Sequence, residues 1–136
     1  MSASAPPRYG RPLVLEQLVA DGHHVIEASA GTGKTFILEH LVIDRVLQGV
    51  DLTKILVVTF TERAAAELRA RIRALLWRLV STAREPAKPV ADPAWTLDET
   101  ALKRLLHALS RIDAATISTI HAFCQRLLTE NAFAHR

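Results

Sequence analysis

The feature that most constrains this chain is a glycine-containing turn between a short apolar stretch and a helix-forming stretch. The apolar stretch, His24–Ala28, predicts a short buried strand, and Lys34–Gln48 has apolar residues at helical spacing. A strand, a glycine turn and a helix in this order predict a phosphate-binding loop. The predicted loop consists of Ala28, Ser29, Ala30, Gly31, Thr32, Gly33, Lys34 and Thr35.

The residue types in this loop suit the binding of a nucleoside triphosphate. Gly31 and Gly33 allow the backbone to turn sharply and to direct N–H groups at a phosphate. Lys34 would neutralise the β- and γ-phosphates of ATP, and the Thr35 hydroxyl would hold Mg²⁺. The usual pattern begins with glycine, whereas this loop begins with Ala28. A glycine-rich turn with an exposed lysine is the other interpretation, which the order of the flanking elements disfavours.

Strands and helices are predicted to alternate along the rest of the chain. The predicted helices are 13–20, 34–48, 63–84 (capped by Thr61), 97–111 and 121–129, and the predicted strands are 24–28, 54–59 and 113–120. This alternation predicts an α/β domain with a parallel sheet and flanking helices. Residues 1–12 are predicted to be a flexible tail, residues 13–136 a partial ATP-binding domain, and residues 85–96 a proline-rich loop or insertion.

Composition limits the class of protein without deciding it. Since no apolar run reaches the ~18–20 residues that a membrane span needs, no membrane association is expected. Residues 1–12 carry no secretory signal, and Cys124 is the only cysteine, so the cytoplasm is the expected compartment. The net charge of +3 tolerates a nucleic-acid partner without requiring one.

An acidic catalytic motif is not evident. ATP hydrolysis needs an acidic residue, usually Asp-Glu at the end of a strand, to hold Mg²⁺ and orient water. The only such pair, Asp98-Glu99, fits a capping box that begins at Thr96. We therefore interpret this pair as structural and expect the isolated chain to be catalytically inactive.

Three segments together resemble the amino-terminal part of superfamily-one DNA helicases of the UvrD/RecB group, and most of all the RecB-like beta subunit of exodeoxyribonuclease V. These segments are VIEASAGTGKTFILEHL (25–41), ILVVTFTERAAAELRARI (55–72) and ATISTIHAFCQRLLTENAF (115–133). The resemblance implies a P-loop NTPase (RecA-like) fold that is incomplete, because the later motor motifs of the family are absent. It also implies that the chain is an amino-terminal fragment of a longer protein.

The resemblance assigns roles residue by residue. Residues 28–35 match the ATP loop of the family. Thr59, Phe60 and Thr61 match a motif that contacts single-stranded DNA, and Thr119 and His121 match a second DNA-facing motif. Gln17 is the nearby candidate for a glutamine that reads adenine in this superfamily, although its setting matches poorly.

Several of these residues have a plain structural alternative. Phe60 is a core residue in the alternative interpretation, and His121 caps the helix that it begins. Cys124 is expected to be a small buried apolar residue. His23 and His24 are adjacent and lack the spacing of metal ligands.

For the whole protein, the resemblance implies ATP-driven unwinding of DNA in double-strand break repair. Single- and double-stranded DNA and the other subunits of an exonuclease V-type complex are the implied partners. A truncated remnant that binds nucleotide or DNA without turnover is one alternative. Another P-loop NTPase, such as a small-molecule kinase, is the second alternative.

Overall fold

The computed structural model describes residues 4–18, 21–28 and 33–132. The helices of this part are α1 (Lys34–Leu47), α2 (Glu62–Ala83), α3 (Glu99–Arg111) and α4 (Ile120–Ala132). Its strands are β1 (Arg8–Gly10), β2 (Leu56–Thr59), β3 (Ala94–Thr96) and β4 (Thr116–Thr119), and short 3₁₀ turns lie at Leu13–Gln17, Leu52–Lys54 and Ile112–Ala114. The predicted α/β class is confirmed.

Strands β2 and β4 form a parallel pair, as the sequence predicts. The register runs from Leu56↔Thr116 to Thr59↔Thr119. Helix α2 contacts both strands and covers one face of the pair. On the other face, Leu56 is 47% exposed and Val58 is 40% exposed. Parallel sheets are usually covered on both faces, so this part of the chain presents an apolar sheet face to solvent.

Helix α2 forms the centre of the core. Its apolar residues recur every three or four positions and are buried against α1, α3 and the parallel strands. Thr61 precedes the helix, and its Oγ1 accepts a 3.0 Å hydrogen bond from the Ala64 amide, which confirms the predicted cap. The buried residues of this helix are Ala65, Leu68, Ile72, Leu75, Leu76, Leu79 and Val80.

The amino-terminal segment is more ordered than the sequence predicts. Residues 8–10, expected to belong to a flexible tail, pair with β3 in an antiparallel two-stranded sheet. The Leu97 amide donates to the Pro7 carbonyl at 2.7 Å, and the Arg11 amide donates to the Pro93 carbonyl at 3.0 Å. The prediction of a flexible tail is therefore wrong for residues 8–10. Local composition does not reveal the partners of this segment, because they lie more than eighty residues away along the chain.

A buried carboxylate holds this small sheet on α1. Asp44 of α1 is 4% exposed and accepts hydrogen bonds from Arg11 Nε at 2.8 Å and Arg11 Nη2 at 3.2 Å. It also accepts bonds from Trp95 Nε1 at 2.9 Å and Gln48 Nε2 at 3.0 Å. The hydrogen bond between Arg11 and Asp44 raises the pKa of Arg11 despite the opposing effect of burial. Asp44 thus connects α1 to β3 and to Arg11, which follows β1.

Several local predictions are wrong, among them the helix 13–20, where the described residues form a 3₁₀ turn, and the loop 85–96, which contains β3. Residues 23–28 form no strand, and Val25 is 89% exposed, because a strand needs a paired neighbour and the described residues supply none. Helix α3 begins at Glu99, and its cap is Asp98, whose carboxylate accepts from the Ala101 amide at 2.8 Å, instead of Thr96. Cys124 is exposed, because no residue of α4 is buried.

Acid pH is expected to destabilise the fold through His40, which is buried on α1. Burial lowers its pKa, and the hydrogen bond from its Nδ1 to the Phe36 carbonyl only partly offsets this. The unfolded chain therefore binds a proton more readily, so stability is lost as pH falls below about 6.5. Urea unfolding at neutral and mildly acidic pH measures this loss. His40→Phe should make the free energy of unfolding less dependent on pH, whereas His121→Gln should leave this dependence unchanged. If His40→Phe loses stability with falling pH as steeply as the unsubstituted chain does, His40 is not the responsible group.

Candidate nucleotide and DNA site

The described part of the predicted phosphate loop is its junction with α1. Ser29 to Thr32 lie outside the described residues, whereas Ala28 and Gly33 to Thr35 lie within them. Gly33 precedes α1 with a φ of 90°, in the left-handed region that favours glycine, and its carbonyl accepts from the Ile37 amide at 2.9 Å. Lys34 and Thr35 are exposed in the first helical turn.

The start of α1 suits an anion. The first-turn amides of a helix have no partner within the helix, and its dipole favours negative charge there. The Lys34 and Thr35 side chains make no hydrogen bond within the described residues, so both are available to a ligand. One hydroxyl is a partial Mg²⁺ site, and no group of three acidic, His or Cys side chains that could hold a metal occurs in the described part. The exposed Thr35 hydroxyl could supply one ligand to Mg²⁺, and the role that the sequence predicts for Thr35 stays a prediction.

The two segments predicted to face DNA meet at one edge of the parallel pair. Thr59 and Thr119 are register partners at the carboxyl ends of β2 and β4. Helix α2 begins at Glu62 and helix α4 begins at Ile120, directly after these ends. Two helix amino termini therefore lie at the same edge, where their positive dipole ends and the first-turn amides that Thr61 and Thr119 do not cap suit phosphates.

Phe60 extends from this edge into solvent. Its side chain is 92% exposed, so the alternative that places it in the core is wrong. The hydroxyl of Thr59 donates to the Thr61 carbonyl at 3.1 Å, which fixes the turn that carries the ring. An exposed ring in a fixed turn suits stacking on a base.

The β4 side of the edge is already hydrogen-bonded. Thr119 is 6% exposed, and its Oγ1 accepts from the Ala122 amide at 3.0 Å. It donates to Glu62 Oε1 at 3.5 Å. Thr119 caps α4, so the alternative that made His121 the cap is wrong. His121 is exposed, and its Nε2 lies 3.3 Å from Gln125 Nε2.

Arg69 holds β4 at the end opposite to this edge, and it was not singled out from the sequence. Its guanidinium donates to the Ile112 carbonyl at 2.6 Å, the Ala115 carbonyl at 3.1 Å and the Ile117 carbonyl at 3.2 Å. It thereby fixes the start of β4 against α2. Its position next to Leu68, at the margin of the apolar stripe, is the only signal that could have marked it.

A second missed contact joins the phosphate-loop helix to α2. Glu39 of α1 is buried and accepts from Arg71 Nε at 2.7 Å. Helical spacing alone pairs Arg71 with Glu67 of its own helix, where the closest approach is 4.0 Å. Helices α1 and α2 are therefore joined by an ion pair.

Gln17, the candidate adenine reader, ends a 3₁₀ turn and is exposed.

Comparisons with known proteins show the family of this chain. A family model described as the UvrD/REP helicase N-terminal domain matches residues 15–136. The chain belongs to this family. The matched range includes residues 28–35 and the residues at the carboxyl ends of β2 and β4.

Individual UvrD/REP-type relatives are long proteins. An ATP-dependent helicase/nuclease protein of Latilactobacillus sakei is 42% identical over 111 residues, covering 81% of this chain and 11% of that protein. The RecB subunit of the RecBCD enzyme of Escherichia coli K12 is 41% identical over 132 residues, which cover 86% of this chain and 11% of that protein. The RecB subunit of the RecBCD enzyme of Mycolicibacterium smegmatis is 43% identical over 109 residues, which cover 76% of this chain and 10% of that protein. The chain spans roughly a tenth of their length.

Membrane-spanning helices are absent from the described ranges of this UvrD/REP-type chain, since none of those helices is both long and apolar enough.

Proposed function

We propose that this chain supplies the ATP-binding and single-strand-contacting part of an ATP-driven DNA helicase of the RecB type. The observation that carries the proposal is the edge at which Thr59 and Thr119 are register partners. Two helices begin there, and the exposed Phe60 ring extends from it. An exposed ring beside two helix amino termini suits the bases and phosphates of a nucleic-acid strand, which a small-molecule kinase does not bind.

In the proposed mechanism each residue has a separate task. Residues 28–33 would surround the phosphates, Lys34 would neutralise the β- and γ-phosphates, and Thr35 would contribute a hydroxyl to a Mg²⁺ that offsets the phosphate charge. Residues 59–61 and 119–121 contact the DNA backbone, while Phe60 stacks on a base. The ion pair between Glu39 and Arg71 is a physical link between the nucleotide helix and the DNA-contacting helix.

The partners of the whole protein are also part of the proposal. The relatives are named as parts of helicase/nuclease and RecBCD enzymes. We infer a similar setting for this chain, with single- and double-stranded DNA and further subunits of an exonuclease V-type complex acting in double-strand break repair.

A binding remnant without turnover is the second candidate for the chain by itself. Asp98 belongs to the only Asp-Glu pair and is engaged as the cap of α3, next to the antiparallel strand β3. It is thus unsuited to holding Mg²⁺ opposite the phosphate loop. ATP turnover by the isolated chain would contradict the remnant. Stimulation of turnover by single-stranded DNA in the longer protein would support the helicase over another P-loop NTPase.

Phe60→Ala is expected to weaken single-strand binding by about 1–3 kcal/mol, because it removes a stacking surface for a base. The unfolding midpoint should not change, since the ring is 92% exposed. Fluorescence anisotropy of a labelled oligothymidylate measures the affinity. Trp77→Ala is the matched control, because Trp77 is also exposed but lies on the middle of α2. Equal losses in both variants would contradict a specific role for Phe60.

A further inference from the structure

A carboxylate lies among the groups that would bind DNA phosphates. Glu62 is the first residue of α2, is exposed and makes no ion pair with any described residue. Its Oε1 accepts the 3.5 Å hydrogen bond from the Thr119 hydroxyl, which reaches it from the other strand end. Glu62 therefore lies between the amino termini of α2 and α4.

We propose that the Glu62 carboxylate limits the affinity of the chain for single-stranded DNA. The inference rests on the proposed function and refines it. A helix amino terminus attracts a phosphate, but a first-turn carboxylate satisfies the same dipole. The Glu62 carboxylate also lies 3.5 Å from the Thr119 hydroxyl, at the long limit of a hydrogen bond, and competes with a phosphate for the proton of that hydroxyl. A phosphate that approaches this edge must displace the carboxylate or remain beside a like charge.

A limited affinity for DNA is an advantage in a protein that moves along a strand. Each phosphate contact must break before the next one forms, so a permanently tight edge would slow the release of DNA. A carboxylate that competes with phosphate lowers the cost of each release. The opposite interpretation is that Glu62 only stabilises the start of α2, in which case its charge has no effect on DNA affinity.

The test is Glu62→Gln in the full 136-residue chain. Glutamine keeps the side-chain length and an oxygen that accepts from Thr119, but removes the charge. The variant should bind a labelled oligothymidylate about 3–10-fold more tightly at low salt, because one like charge near a phosphate is lost. The difference should narrow at high salt, which screens exposed charges.

Glu67→Gln is the matched control. It makes the same charge change on α2, more than one turn beyond Glu62, where the Glu67 side chain is 61% exposed. Its affinity should stay within about twofold of the unsubstituted chain, since its charge lies farther from the edge.

The outcomes separate this inference from the proposed function. Unchanged or weaker binding by Glu62→Gln, or equal tightening in Glu67→Gln, would overturn the inference while the helicase proposal stands. Binding by Glu62→Gln alone, with none by the unsubstituted chain, would support it. Absence of binding by the unsubstituted chain and by every variant would overturn the proposed function together with the inference.

Discussion

Replacing Lys34 with alanine is expected to abolish ATP binding by this chain. Lys34 is exposed in the first turn of α1, directly after the left-handed Gly33. Its ammonium group is the only lysine charge that the loop offers to the β- and γ-phosphates, and each hydrogen bond to a charged group contributes about 1.5–3 kcal/mol. Losing the charge also leaves the phosphates uncompensated.

Titration of a fluorescent ATP analogue in the presence of Mg²⁺ measures this loss. Lys54→Ala is the control, because Lys54 is an exposed lysine at the end of the Leu52–Lys54 turn. Retained affinity in Lys34→Ala would show that residues 28–35 are not a phosphate-binding loop. A loss in both variants would indicate nonspecific attraction between nucleotide and a basic surface.

The largest effect on stability is expected for Asp44→Ala. The change removes the acceptor of four hydrogen bonds and leaves the Arg11 guanidinium, whose side chain is 16% exposed, without its buried partner. Breaking a buried ion pair on one side costs about 3–5 kcal/mol. The β1–β3 sheet should detach from α1, and the unfolding midpoint in urea, followed by the fluorescence of Trp77 and Trp95, should fall sharply.

Asp113→Ala is the control for this prediction. Asp113 also pairs with an arginine, Arg73, but its side chain is 84% exposed. A surface pair of this kind contributes about 0–1 kcal/mol. Similar losses in the two variants would mean that Asp44 acts as an ordinary surface charge.

The elements that the sequence predicts correctly are those decided by nearby residues. The run of β-branched residues before Thr59, the Thr61 cap and the apolar stripe of α2 are all local patterns. The failures concern partners far along the chain. Strand β1 exists through β3, and Arg11 is ordered by Asp44, neither of which local composition reveals.

In the candidate site, too, features decided by nearby residues could be predicted and those decided by tertiary packing could not. The resemblance indicates which segments face DNA, and strand parallelism predicts that Thr59 and Thr119 lie at one edge. Burial of Thr119 and exposure of Phe60 depend on tertiary packing and could not be predicted from spacing. The polar residues that support the site, Arg69 and Glu39, were missed because a helical arginine or glutamate is usually solvated.

The three carbonyl contacts of Arg69 also set an order of events during synthesis. Its acceptors lie 43, 46 and 48 residues later in the chain, so α2 leaves the ribosome long before they do. Helices α1 and α2 can pack against each other during this interval, while α3 emerges directly before the acceptors. Strand β4 is synthesised only after these three helices. Synthesis thus completes α1 and α2 first and the edge at the carboxyl ends of β2 and β4 last.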